Sequence, residues 1–112
     1  MIFVFAAFSA CFDSAPRQFV IADSKSYEAS LFRQNCAICH GPEANGRTLD
    51  DGRVIPNIRE GEHKYKSAGE IYNHIAKGGN GMVPFRDQLT EREINLLVNF
   101  VLKDLRMQKP AR

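Results

Sequence analysis

The chain has 112 residues, enough for one domain around a single core and too few for two. Its 15 Lys and Arg stand against 13 Asp and Glu, with both signs mixed along the chain and no basic run, which excludes a nucleic-acid-binding role. Tryptophan is absent and the apolar segments are short, so a buried cofactor would supply the apolar bulk that so small a chain lacks.

Residues 1–10 are almost wholly apolar. The run is too short to span a bilayer, which takes about 20 residues. It suits the hydrophobic part of an export signal, although the positive flank is missing. Phe8-Ser9-Ala10-Cys11 resembles a relaxed bacterial lipobox, in which the cysteine becomes the lipidated first residue; Phe8 stands where leucine is common. Cleavage after small residues, leaving Cys11 as an incidental thiol, is the alternative. Residues 11–25 show no sustained period and read as a tether, with Pro16 unsuited to a helix interior and Phe19, Val20 and Ile21 able to pack on the domain surface. The domain itself is expected over 26–106, with a tail at 107–112.

Ser26 to Cys36 reads as a helix with Ser26 as N-cap, Glu28 in the first turn and Leu31-Phe32 on an apolar face. It runs into Cys36-Ala37-Ile38-Cys39-His40, stopped by Gly41-Pro42. Two thiols at i, i+3 followed by a histidine match the pattern for covalent attachment of c-type haem. Each sulfur adds across one vinyl group, and the adjacent imidazole becomes an axial ligand. A thioredoxin-like redox pair or half a zinc site competes with this reading, but there is no second C-x-x-C and no βαβ pattern. Pairing Cys36 with Cys39 leaves Cys11 over, as an acylated residue would be.

Residues 41–63 are loop-like, with Val54-Ile55-Pro56-Asn57-Ile58 as their one apolar cluster. A ligating imidazole needs its other ring nitrogen satisfied, and the Pro56 carbonyl is the candidate acceptor for His40. Ser67 to Lys77 is a second helix, with Ser67 and Glu70 as a capping pair, Ile71 and Ile75 on one face, and Gly78-Gly79 at its end. His63 and His74 read as surface or packing residues rather than ligands. In Gly78-Gly79-Asn80-Gly81-Met82-Val83-Pro84-Phe85 the glycines and Asn80 permit positive φ and close backbone approach. The Met82 thioether is a soft donor suited to the axial position opposite His40. The last helix runs from about Thr90 to Arg106, with Thr90 and Glu93 as a capping box. Ile94, Leu97, Val98, Val101, Leu102 and Leu105 form one apolar face, flanked by Leu96 and Phe100.

Leu31-Phe32, Cys36 to Gly41, Pro56-Asn57-Ile58, the helix into Gly78, the Met82-Val83-Pro84-Phe85 loop and the closing amphipathic helix follow one another in an order that resembles the class I cytochromes c, over roughly residues 25–106. The resemblance implies an all-α cytochrome c fold: three main helices around one haem c bound through Cys36 and Cys39, held between His40 and Met82. Its N- and C-terminal helices would cross, with Phe32 meeting Leu97 and Phe100. Glu28, beside Ala29, stands where the family commonly has glycine, so a wider or shifted crossing is expected.

The expected function is that of an exported one-electron carrier without catalytic residues, periplasmic or anchored through lipidated Cys11 and facing the periplasm. It would meet donor and acceptor proteins transiently. Lys64, Lys66, Lys77 and Arg86 flank the Met82 loop, but Glu60, Glu62, Glu70 and Asp87 lie among them and make a mixed solvated surface. Two other readings stay open: a haem-based peroxidase or gas sensor in which Met82 leaves the iron, and a dedicated cytochrome subunit of an oxidase or reductase complex.

Overall fold

A computed structural model describes residues 18–106; the signal-like run, Cys11 and the 107–112 tail lie outside the described residues. Helix α1 spans Tyr27–Asn35, and its N-cap Ser26 accepts a hydrogen bond from the Ala29 N–H at 3.2 Å. The expected single helix into the cysteine motif is two pieces. Cys36, at φ −116° and ψ −33°, ends α1, and a one-turn helix α2 follows over Ala37–His40, stopped by Gly41 at φ 88°. Helix α3 spans Ala68–Lys77 and α4 spans Glu91–Asn99, with the Thr90–Glu93 capping box fully formed.

Three further features differ from the sequence reading. Beyond α4, residues Phe100–Leu105 continue as a π-helix, in which the Arg106 N–H reaches back five residues to the Val101 carbonyl at 3.0 Å. Its two ends are pinned. Phe100 is wedged between Phe19 and Phe32, at centroid distances of 5.4 and 5.8 Å, and the Arg106 guanidinium donates to the carbonyls of Ile58 and Tyr65 at 3.0 and 2.7 Å.

The loop after α2 carries a small antiparallel sheet, β1 (Arg47–Thr48) against β2 (Val54–Ile55), with Arg47 opposite Ile55. Two residues per strand are too few to show a period-2 pattern.

The expected tether is packed structure from about residue 19 onward. Ile21 is fully buried in a 3₁₀ turn over Ile21–Asp23, and the Glu43 carboxylate accepts from the N–H groups of Ile21 and Ala22 at 2.7 and 3.1 Å. Arg33 donates to the carbonyls of Ile21 and Ser24 at 2.6 and 2.9 Å, closing the other side of the turn.

The core is one cluster built mainly by α1, α3, α4 and the π-helix and joined by Ile21 of the 3₁₀ turn, Ala44, Phe85 and Leu89; Phe32, Phe100, Ile21, Ile94 and Leu97 are its largest fully buried side chains. Each contributes about 1.5–3 kcal/mol of apolar burial. Phe32 meets Phe100 as expected, and Leu97 shares their core. Ala29 is fully buried while Glu28 is partly exposed, so the small residue on the inward face of α1 falls one position after the one the family pattern would use. At the open end of this pair the Tyr27 hydroxyl donates to Glu93 Oε2 at 2.6 Å.

Candidate cofactor site

The site starts from α2. The N–H groups of Cys39 and His40 both donate to the Cys36 carbonyl, at 3.2 and 2.9 Å, so Cys36, Cys39 and His40 are fixed within one turn. Cys39 is exposed, and Cys36 and His40 are partly buried. Burial, with a smaller contribution from Cys39, pushes the Cys36 thiol up to about 12. A thiol held that way is not a thiolate at neutral pH, which makes Cys36 itself a poor attacking thiol. Burial, and then the neighbouring charge of His74, lowers the pKa of His40 and favours the neutral imidazole that ligates metal. Among the described residues no three His, Cys, Asp or Glu side chains converge as a metal cluster, whereas a structural zinc site needs four ligands.

The Nδ1 atom of His40 is buried and has no hydrogen-bond partner. The expected bond to the Pro56 carbonyl is not made. The 55–57 backbone is held instead by its packing on Gly46, whose N–H donates to the His40 carbonyl at 2.9 Å. A Cβ at Gly46 would lie 2.9 Å from the Pro56 carbonyl carbon and would collide with the Ile55 carbonyl oxygen, so glycine is required where the two loops cross. Pro56 therefore lies against the His40 loop without bonding the ring.

Met82 sits on the second loop. Gly79 and Met82 exchange two backbone hydrogen bonds, at 2.9 and 3.0 Å, around Asn80 (φ 52°) and Gly81 (φ 88°). Positive φ at both central residues makes this a type I′ turn, for which Asn-Gly is the favoured sequence. At Gly78 a Cβ would lie 2.5 Å from the Met82 oxygen and 2.8 Å from the Pro84 nitrogen, so the chain doubles back over the end of α3 with no room for a side chain. The N–H groups of Phe85 and Arg86 then satisfy the Ile75 and Ala76 carbonyls, two acceptors left free at that helix end. Met82 is half-buried and packs against the core cluster. His74 stacks on Tyr65 at 4.3 Å, and His63 is half-buried in its loop.

Ile38, Val54 and Val83 are the apolar residues left most open in this part of the fold. Sequence reasoning missed the anchoring pair of Glu43 and the buried Arg59, whose Nε donates to the Glu43 carbonyl at 2.6 Å and whose Nη2 lies 3.2 Å from the Glu43 carboxylate. No local pattern announces it. The Asn80-Gly81 dipeptide, by contrast, was a readable signal for the turn.

Two thiols and an imidazole on one helical turn, and a thioether in a braced loop, are donors that fit a covalently attached haem. The fold and this donor set define a c-type cytochrome. A solved structure, the KustC0563 c-type cytochrome, is 31% identical, with a TM-score of 0.57 over 65% of this chain and 90% of that one. The cbb3-type cytochrome c oxidase subunit FixP of Sinorhizobium medicae is 33% identical over 85 residues, and cytochrome c6 of Gracilaria tenuistipitata is 29% identical over 72. The chain spans 28% of the length of FixP and 65% of that of the cytochrome c6. The model of the family described as cytochrome c oxidase, cbb3-type, subunit III matches residues 28–101, and the chain belongs to that family. The all-α cytochrome c fold expected from the sequence is thereby established, with the small sheet as its addition.

Proposed function

We propose that this domain is a monohaem one-electron carrier and not an enzyme. Cys36 and Cys39 would form the thioether links to a single haem c, and His40 and Met82 would hold its iron. Bound haem c supplies an Fe(III)/Fe(II) couple, and a thioether ligand favours the reduced state. The single observation that carries this reading is the bracing of the Met82 loop, by the type I′ turn and by the crossing at Gly78, on the core that also carries the Cys36–His40 turn. Iron held by both His40 and Met82 would leave no open position for substrate. Ile38, Val54 and Val83 are exposed apolar side chains of the kind that the small, short-lived contacts of redox partners use.

Covalent haem attachment implies export, so the domain works in the periplasm or on a membrane face toward it, with Cys11 as a candidate lipid anchor. No helix among the described residues is long and apolar enough to cross a membrane. The test is an optical spectrum of the haem-loaded protein. Sharp low-spin bands on reduction and a far-red sulfur-to-iron band on oxidation are expected, and both change in Met82→Ala. A high-spin wild type that binds carbon monoxide readily would replace the carrier with a peroxidase or gas sensor.

The family match and the likeness to FixP favour a second reading, a dedicated cytochrome subunit of an oxidase. Co-purification with oxidase subunits after mild detergent extraction supports it, and a monomer without a stable partner removes it.

A further inference from the structure

Tyr65 lies outside both loops that carry the proposed ligands, yet it touches the Met82 turn. Its hydroxyl accepts a hydrogen bond from Asn80 Nδ2 at 3.0 Å, and Asn80 is the first left-handed residue of that turn. Tyr65 makes three further contacts. Its ring stacks on His74 of α3 at 4.3 Å and 23°, its backbone carbonyl accepts from Arg106 Nη1 at 2.7 Å, and Lys64 Nζ stands 5.6 Å from the ring centroid. Asn80 in turn is locked to Met82 through the paired Gly79–Met82 bonds.

We propose that Tyr65 is a positioning residue for Met82, acting through Asn80, so that the phenol sets how firmly the thioether is presented to its ligand position. The chain of contacts runs from the end of the π-helix (Arg106) through Tyr65 to the turn, tying the loop to α3 and to the C-terminal helix together. A turn held only by its own two bonds would be free to swing; the side-chain bond to a stacked ring removes that freedom. This inference rests on the His40/Met82 ligation proposed above.

The test uses the haem-loaded protein and exogenous imidazole, which must displace Met82 to bind. Tyr65→Phe removes the acceptor, and Asn80→Gly removes the donor while tolerating φ of 52°. Each is expected to raise imidazole affinity about fivefold, the equivalent of one neutral hydrogen bond, and to weaken the far-red band. The double variant is expected to bind no more tightly than the singles, because both remove the same bond. Additive effects, or a lower melting temperature with unchanged imidazole affinity, would overturn the positioning role and leave the ligation reading standing. A wild type with no far-red band would overturn both.

Discussion

Gly78→Ala probes the crossing that brings Met82 back over α3. Gly78 adopts φ 69° and ψ −159°, a region that only glycine enters without strain. For alanine that conformation costs about 1–3 kcal/mol. The added Cβ would also sit 2.5 Å from the Met82 oxygen, 2.8 Å from the Pro84 nitrogen and 2.9 Å from the Val83 carbonyl carbon. All three are backbone atoms, with no flexible side-chain end to swing aside, and overpacking of this kind adds about 1–3 kcal/mol. The stiffer unfolded chain offsets about 0.4–1 kcal/mol. The net loss is about 3 kcal/mol, or about 15 °C in melting temperature for a domain of this size. Gly52→Ala is the control, since Gly52 has φ 89° but nothing within 4 Å of its would-be Cβ, and it is expected to lose only about 1 kcal/mol of conformational strain. Thermal unfolding of the haem-loaded protein, followed by circular dichroism, gives the stability; the far-red band reports whether Met82 has moved. Equal melting temperatures for the two variants, with the band intact in both, would refute the claim that backbone crowding at Gly78 fixes the loop.

Three further outcomes are expected. Glu43→Ala removes the acceptor for Ile21 and Ala22 and the ion-pair partner of buried Arg59, at a cost of about 2 kcal/mol in urea unfolding; this is discounted because Glu43 is partly exposed and its carbonyl still holds Arg59. Thr90→Ala opens the capping box at the start of α4 and lowers stability by about 1 kcal/mol, read from the same urea titration. Hydrogen bonds from the Thr90 backbone and then from Tyr27 hold the Glu93 carboxyl below the ordinary glutamate value. The folded state therefore binds its proton less readily than the unfolded chain, so this contribution is present above the ordinary glutamate value and is lost as pH falls through the lower folded one. Glu93→Gln is expected to show a shallower fall in the urea midpoint on acidification, and an unchanged slope would count against it.

The parts of this molecule that repeat or cap were legible in its sequence. The i, i+3 thiols with His40, the Thr90–Glu93 box and the 3.6-residue period of Ile94, Leu97 and Val98 are local patterns, and each appears in the structure where expected. Ile21 was unreadable as core because its burial depends on Glu43, which lies 22 residues from it. The π turn was equally hidden, since its ends are pinned by Phe19 and by the carbonyls of Ile58 and Tyr65 rather than by anything within the helix. At the site, the C-x-x-C-H spacing and the glycine-framed Met82 loop pointed to the four proposed haem-contacting residues. The crossings that need Gly46 and Gly78 became visible only once backbone was seen against backbone.

The Tyr27–Glu93 bond across the α1 and α4 ends joins residues 66 apart in sequence, whereas the turns carrying His40 and Met82 close on bonds such as His40 to Cys36 and Met82 to Gly79. Loop-closure entropy grows slowly with the length enclosed, so the contact between the first and last helices carries a larger closure cost than either turn. Short turns close in about microseconds, ahead of contacts distant in sequence. The two turns that bear the proposed ligands are thus short-range closures. The meeting of the chain's two end helices is the long-range contact that holds them in one frame.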